Sequence, residues 1–167
     1  MTHGQEAQPR PTSSGLDAVT VGEVLRLHAA IQPEARLRMA ISSASLAAAA
    51  LIVAPWLAAL CLAIDAVADR LSLRHLRRFA EDRQRRDYHA FLALTAIANV
   101  AFVMPATVML ATGDNYASFL AMFYLFGTIL HVTTMLAIHR RAALICLGAC
   151  IVPVAVANFF ALSTAQD

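Results

Sequence analysis

Residues Asp69–His89 read DRLSLRHLRRFAEDRQRRDYH. The stretch holds seven of the chain's thirteen arginines and four of its eleven acids, and it is the longest polar run in an otherwise apolar chain. Everything after it is apolar at lengths that suit membrane crossing, and so is much of what precedes it. Short arginine-rich loops stay on the cytoplasmic side of a bilayer protein. This segment therefore orients the helices on either side of it, but it carries no reaction.

The composition points the same way. The chain has 167 residues, 59% hydrophobic and 14% charged, against about 25% charged residues in an average soluble domain. The formal net charge of +2 is too small to argue for nucleic acid, and the arginines sit beside apolar runs, where topology explains them. No lysine is present. Cys61, Cys146 and Cys150 lie in apolar runs without metal-ligand spacing, so they read as small packing residues. The first thirty residues lack the apolar core of a signal peptide, so the first span is expected to act as its own insertion signal.

Working outward, residues 1–15 are polar, hold two prolines and two glycines, and are expected to be a disordered tail. Residues 16–32 read as a short amphipathic helix with Val21, Val24, Leu25, His28 and Ile31 on one face. Thr20 and Glu23 have the spacing of a capping box at its start. The helix is expected on the inner membrane surface or on the bundle, and Gln32-Pro33-Glu34 is expected to break it.

Residues 37–69 allow two readings: one long span kinked at Pro55, or a hairpin of spans 37–53 and 55–70. The hairpin is favoured. Proline suits a helix start better than its interior, Trp56 suits an interface, and a hairpin keeps the basic residues Arg26, Arg36 and Arg38 on the same side as Asp69–His89. The polar segment is expected to continue the second span as a helix, laced by i, i+4 pairs: Arg77–Glu81, Glu81–Arg85, Arg78–Asp82, Asp82–Arg86 and Arg83–Asp87. Its arginines suit anionic lipid headgroups. Three further spans follow, 90–112, 116–138 and 142–162, with Pro105 a kink point. The turn at Gly113-Asp114-Asn115 has no arginine, and Arg140-Arg141 makes a second basic flank. All basic clusters then fall on one side. The fold expected is an all-α polytopic membrane bundle over 33–167, of five spans, or four if 37–69 is one.

Candidate polar contacts inside the spans are few. Asp65 and Asp69 lie one turn apart and allow two readings: a proton or cation site, or, as favoured here, Asp65 paired with Arg38 across the hairpin and Asp69 facing headgroups. Thr128, His131 and Thr134 share a face of the fourth span. Asn99 and His131 have matching depths on antiparallel neighbours, so a hydrogen bond between them is expected, with Thr95 and Thr134 nearby. A lone deep histidine supplies half of a bis-histidine haem site. Asp65, Asn99, His131 and Asn158 look too few and too scattered for a transport path. No phosphate loop, catalytic carboxylate pair, nucleophile elbow or zinc spacing is present. No catalytic residue, cofactor or metal is assigned.

The run FGTILHVTTMLAIHRRAALICLGACIVP, Phe126 to Pro153, resembles the N-terminal multi-span membrane region of certain bacterial sensor histidine kinases, often hybrid ones. Such regions show a short hairpin, an Arg-rich inner segment and a span with a Leu-His-Val-Thr-like string, here Leu130-His131-Val132-Thr133. The resemblance covers about residues 36–162 and implies a non-catalytic sensory and anchoring input module of the bacterial inner membrane. The family's sixth span, dimerisation portion and ATP-binding portion have no counterpart here. The expected setting is the cytoplasmic membrane, multi-pass, with the N-terminus inside and a homodimer or a membrane-protein partner. The alternative is a small integral membrane protein serving as accessory subunit of a larger complex.

Overall fold

The computed structural model describes residues 18–136 and 138–164; the tail at 1–15 lies outside them. Over the described residues the chain is all-helical, without strands: α1 Ala18–Ala49, α2 Pro55–Asp82, α3 Arg85–Ala111, α4 Asn115–Leu136 and α5 Arg140–Thr164. Successive helices run antiparallel. The central helix is α3, which packs against α2, α5 and α4, while α1 lies mainly on α2 and α4 on α5.

The break between α1 and α2 falls where proline chemistry puts it. Residues 50–53 form a turn, and Pro55 opens α2 in its first turn after an extended Ala54, a position where the missing N–H costs nothing. The chain therefore reverses at Pro55. The other short reversal is built as the sequence implies. Gly113 adopts φ 69°, which glycine tolerates without a Cβ clash. Asp114 then caps α4, its Oδ1 accepting from the Ala117 N–H at 2.8 Å.

Two sequence expectations fail at the N-terminal side. The break at Gln32-Pro33-Glu34 is absent, and the separate segments 16–32 and 37–53 are one helix of 32 residues, about 48 Å long. The capping box is absent too. Thr20 lies within α1 and is buried, while the Glu23 carboxylate reaches His139 at 3.3 Å. Tertiary packing has redirected it.

A third expectation fails in the arginine-rich segment, which is not one helix. Arg83 takes the left-handed conformation, φ 56°, and its N–H closes α2 on the Phe79 carbonyl at 2.9 Å. Gln84 is extended and α3 begins at Arg85. Arg77–Glu81 forms within α2, at 3.1 Å. Glu81–Arg85, Asp82–Arg86 and Arg83–Asp87 straddle the break, so they are not helical neighbours. Asp87 instead meets His75 of α2 at 2.6 Å.

That reversal creates the core of the arginine-rich end. Val21, Val24, Leu27 and Ile31 of α1 pack with Leu76 and Phe79 of α2, Tyr88, Phe91 and Leu92 of α3 and Ala142 of α5. The amphipathic face of α1 thus lies on the bundle, with Leu27 in it and His28 at its margin. At the opposite end a second core joins Ala49, Val53, Ala58, Ala106, Met109, Ala117 and Ala121. Small residues there let the helices approach closely. Cys61, Cys146 and Cys150 are buried and form no disulfide.

The outer surface is the reverse of a soluble protein's. Large apolar side chains are exposed on every helix, among them Ile41, Leu60, Val67, Ile97, Phe119, Phe123, Phe126, Ile151 and Phe159. By length and composition, Arg85–Ala111 and Arg140–Phe159 suffice to cross a membrane; Met39–Ala49 and Asn115–Leu130 are shorter apolar helices.

His139 sits in the first core with no solvent exposure, stacked on Tyr88 with centroids 5.8 Å apart and rings 12° from parallel. Neither ring nitrogen makes a well-aimed hydrogen bond. Burial pushes its pKa below the ordinary histidine range; Glu23 partly opposes this and Arg141 adds to it. The unfolded chain therefore binds this proton at higher pH than the fold does. Stability owed to neutral His139 is full above about pH 6.5 and is lost as pH falls through the lowered folded value. Thermal melts across pH 7.5 to 5 should show His139→Phe losing part of the acid destabilisation that the parent chain shows. An unchanged pH profile would rule out this origin.

Candidate functional site

The buried face of α2 carries Ala58, Cys61, Asp65, Ala68, Asp69, Ser72, Leu76 and Phe79, a 3.6-residue stripe turned inward. Two carboxylates lie in that stripe, one turn apart. Each is 6% exposed, and each makes polar contacts of its own. The expectation that Asp69 faces headgroups is therefore wrong: α2 turns it into the bundle with Asp65. Ser72 follows one turn on and donates to the Asp69 carbonyl at 3.1 Å.

These groups line a cavity of about 540 Å³. Its floor is α2 and α3, with Asp65, Asp69, Thr95 and Asn99. Ser42 and Ser45 of α1 border one side, Tyr124 and Thr128 of α4 the other. Polar residues that looked scattered along the chain are thus gathered by the fold. Asn158 is not among them; it is exposed on α5 and donates to its own helix at the Val154 carbonyl, 2.9 Å.

The hydrogen bonds of the site differ from the expected ones. The amide of Asn99 donates to the Thr95 carbonyl at 2.8 Å and to Cys146 Sγ at 3.3 Å. Among the described residues its interhelical partner is Cys146 of α5, toward which the central α3 turns this face; the expected bond to His131 falls on a side chain outside them. The side chains of His131, Thr134 and Arg38 lie outside the described residues. The Thr95 hydroxyl oxygen is buried and has no partner among the described residues. Tyr124 donates to the Phe102 carbonyl at 2.9 Å, its ring 4.7 Å from that of Phe102. Thr128 bonds back to the Tyr124 carbonyl at 3.0 Å.

The sequence reading passed over His75, whose pairing with Asp87 ties α2 to α3 beyond the reversal. The two are twelve residues apart, a spacing that means nothing until the turn is placed at Arg83–Gln84. The role of Tyr124 was also missed; only its place one turn before Thr128 hinted at a shared face.

Chemically, the cavity joins two carboxylates, hydroxyls, an amide and an aromatic pair inside an apolar shell. It can hold a ligand, and among the described residues that line it no nucleophile is set against a base. Among the described residues no group of three metal-ligating side chains is gathered. No family model matches the chain, and no curated protein or solved structure does either.

The Asn99–Cys146 contact is testable. In a double-mutant cycle of Asn99→Ala and Cys146→Ala, the coupling should be about 0.6 kcal/mol, the average for polar pairs between membrane helices. Each single change should weaken the bundle without preventing its formation. Coupling of Asn99 to His131, and none to Cys146, would contradict the geometry.

Proposed function

We propose that the chain is a multi-pass helical module of the bacterial cytoplasmic membrane, N-terminus inside. It serves as the sensory and anchoring input region of a signal-transducing histidine kinase, with no catalysis of its own. The observation that carries the membrane part is the inverted bundle: carboxylates inside, large apolar side chains outside on all five helices. Soluble monomers rarely expose apolar patches of more than a few hundred Å², whereas hydrocarbon solvates such a surface. The basic residues support the orientation. The α2–α3 reversal and Arg140-Arg141 lie at one end, beside the N-terminal half of α1; the arginine-free turns at 50–54 and 112–114 lie at the other.

In this reading all five helices cross. The C-terminal part of α2 and the N-terminal part of α1 project beyond the hydrocarbon, forming a cytoplasmic cap around Phe79 and Tyr88. The signalling part rests on the resemblance around Leu130-His131-Val132-Thr133 and on the interior cavity, which offers a place for an input. Two helices on either side of it, α1 and α4, have at most marginal contact with each other. An occupant would change their separation, and α1 would carry that change to the cap. A sixth span downstream would return the chain to the cytoplasm, where a kinase portion must lie. The second reading, accessory subunit of a membrane complex, draws on the exposed row Phe119, Phe123 and Phe126 of α4, which suits a partner helix as well as lipid.

Topology comes first in testing this. Asn115 and Gln84 are exposed at opposite ends, and the native cysteines are buried. Asn115→Cys should react with an impermeant thiol reagent in intact cells, and Gln84→Cys only after permeabilisation. The opposite pattern would sink the arrangement. The size of the native polypeptide on an immunoblot separates the two functional readings. A product well beyond 167 residues favours the kinase input; one of that length favours the subunit.

A further inference from the structure

We propose that the N-terminal half of α1 is a proton-released latch over the arginine-rich end of the bundle: when His139 takes up a proton, this half lifts away and uncovers Val21, Val24 and Leu27. The proposal deepens the input reading above by giving the cap a regulator of its own. It rests on that reading only for the side of the membrane that supplies the proton.

The site suits a neutral imidazole and not a charged one. His139 has no solvent exposure, and among the described residues neither ring nitrogen has a well-aimed partner. An imidazolium carries two N–H donors, and burying donors without acceptors is costly. Charge is also unwelcome at this place in the fold. His139 stands at the N-terminus of α5, its carbonyl accepting from the Ala143 N–H at 3.1 Å, where the helix dipole opposes a positive group. Arg141 of α5 opposes it as well. Two neighbours favour the charged ring: the Glu23 carboxylate of α1, 3.3 Å from Nδ1 but one-third exposed to water, and weakly the face of Tyr88 of α3, stacked at 5.8 Å. Burial outweighs them, and the pKa lies below the ordinary histidine range. The other surroundings add little. His89 of α3, Arg26 of α1 and Arg140 of α5 are exposed, and His28 of α1 lies at the margin of the core. From α2 come the uncharged Leu76 and Phe79, and residues 133–138, leading into His139, include no ionisable group.

The element that gives way is α1. It lies mainly on α2 and only lightly on α3, whereas α3 packs closely on both α2 and α5. Glu23 is partly exposed, so water is near the ring on the α1 side. Pro33 has no N–H to donate within α1, which makes a weak point in the helix just beyond Ile31. Lifting residues 18–32 therefore hydrates His139 at the least loss of packing. Once hydrated, the ring regains a pKa of about 6.5. The open state then holds the proton more tightly than the closed one, and falling pH favours opening.

The test uses the full chain in nanodiscs of phosphatidylcholine, whose headgroups do not titrate between pH 7.5 and 5.5. Amide hydrogen exchange is followed over that range and corrected for its intrinsic pH dependence. One proton taken up only by the open state, with a pKa of about 6.5, increases opening by at most about tenfold. A loss of protection of at least about threefold is expected over residues 19–31, with residues 98–109 of α3 unchanged. His139→Phe and His139→Gln should each make residues 19–31 independent of pH, and either decides if the other fails to fold. Glu23→Gln, which removes the carboxylate favouring the charged ring, should bring the loss closer to the tenfold limit. His75→Gln should keep the loss. The proposal is overturned by pH-independent protection in the parent, by an equal loss in every helix, or by a loss that survives the His139 variants. A loss abolished by Glu23→Gln or His75→Gln makes another group the sensor and overturns it too. Gln84→Cys labelled from outside in intact cells overturns the orientation of the input reading and leaves the latch standing, because discs expose both faces to buffer.

Discussion

Tyr88 lies where four helices meet. Its ring centroid lies 5.7 Å from that of Phe79 of α2, it stacks on His139 ahead of α5, and it shares one core with Val24 and Leu27 of α1. Phe79 and Tyr88 are almost completely buried, and aromatic side chains dominate the energetics of such a core. For these rings to meet, the chain must turn back within the eight residues that separate them. It does so at Arg83, in a backbone conformation that costs a non-glycine residue about 1–2 kcal/mol. The register of α3 against α2 follows from that turn, and with it the level at which Asn99 and Thr95 face Asp65 and Asp69.

The rest of the bundle obeys a different constraint. Away from the arginine-rich end the helices are joined largely through alanine and other small residues, which bring backbones close but bury little surface each. Larger apolar side chains point outward. Under the membrane reading proposed above, van der Waals contact and a few polar ties, such as Asn99 to Cys146, would hold the helices together, since lipid leaves no hydrophobic drive between them. A loosely packed side between α1 and α4 is the counterpart of this arrangement, and the cavity lies there. Two buried carboxylates, Asp65 and Asp69, line it.

Much of this was legible along the chain. Runs of apolar residues bounded by Pro55, Gly113 and the arginines marked the helices; Asp114 marked the cap of α4; the face Val21, Val24, Ile31 marked a helix with something to pack against. The errors share one cause. Thr20 and Glu23 form a capping box only if the helix starts there, and Glu23 found His139 instead. Gln32-Pro33-Glu34 breaks a helix only if no neighbour holds it straight, and α2 runs alongside. The ladder of i, i+4 pairs through Arg86 required an unbroken helix, which the burial of Phe79 against Tyr88 forbids. His75 and Asp87 had no visible reason to meet.

By itself the sequence determined the helical state, the order of the helices and the separation of basic from arginine-free turns. Those properties depend on backbone propensity, apolar run length and turn chemistry, which act within a few residues. Tertiary structure alone decided which helix faces meet: that Asp69 turns inward with Asp65, that Asn99 reaches Cys146 of α5, and that α1 and α4 leave a cavity between them. Helical periodicity fixes which residues share a face. It does not fix the direction in which that face points, because rotation about the helix axis is set by packing with helices distant in sequence.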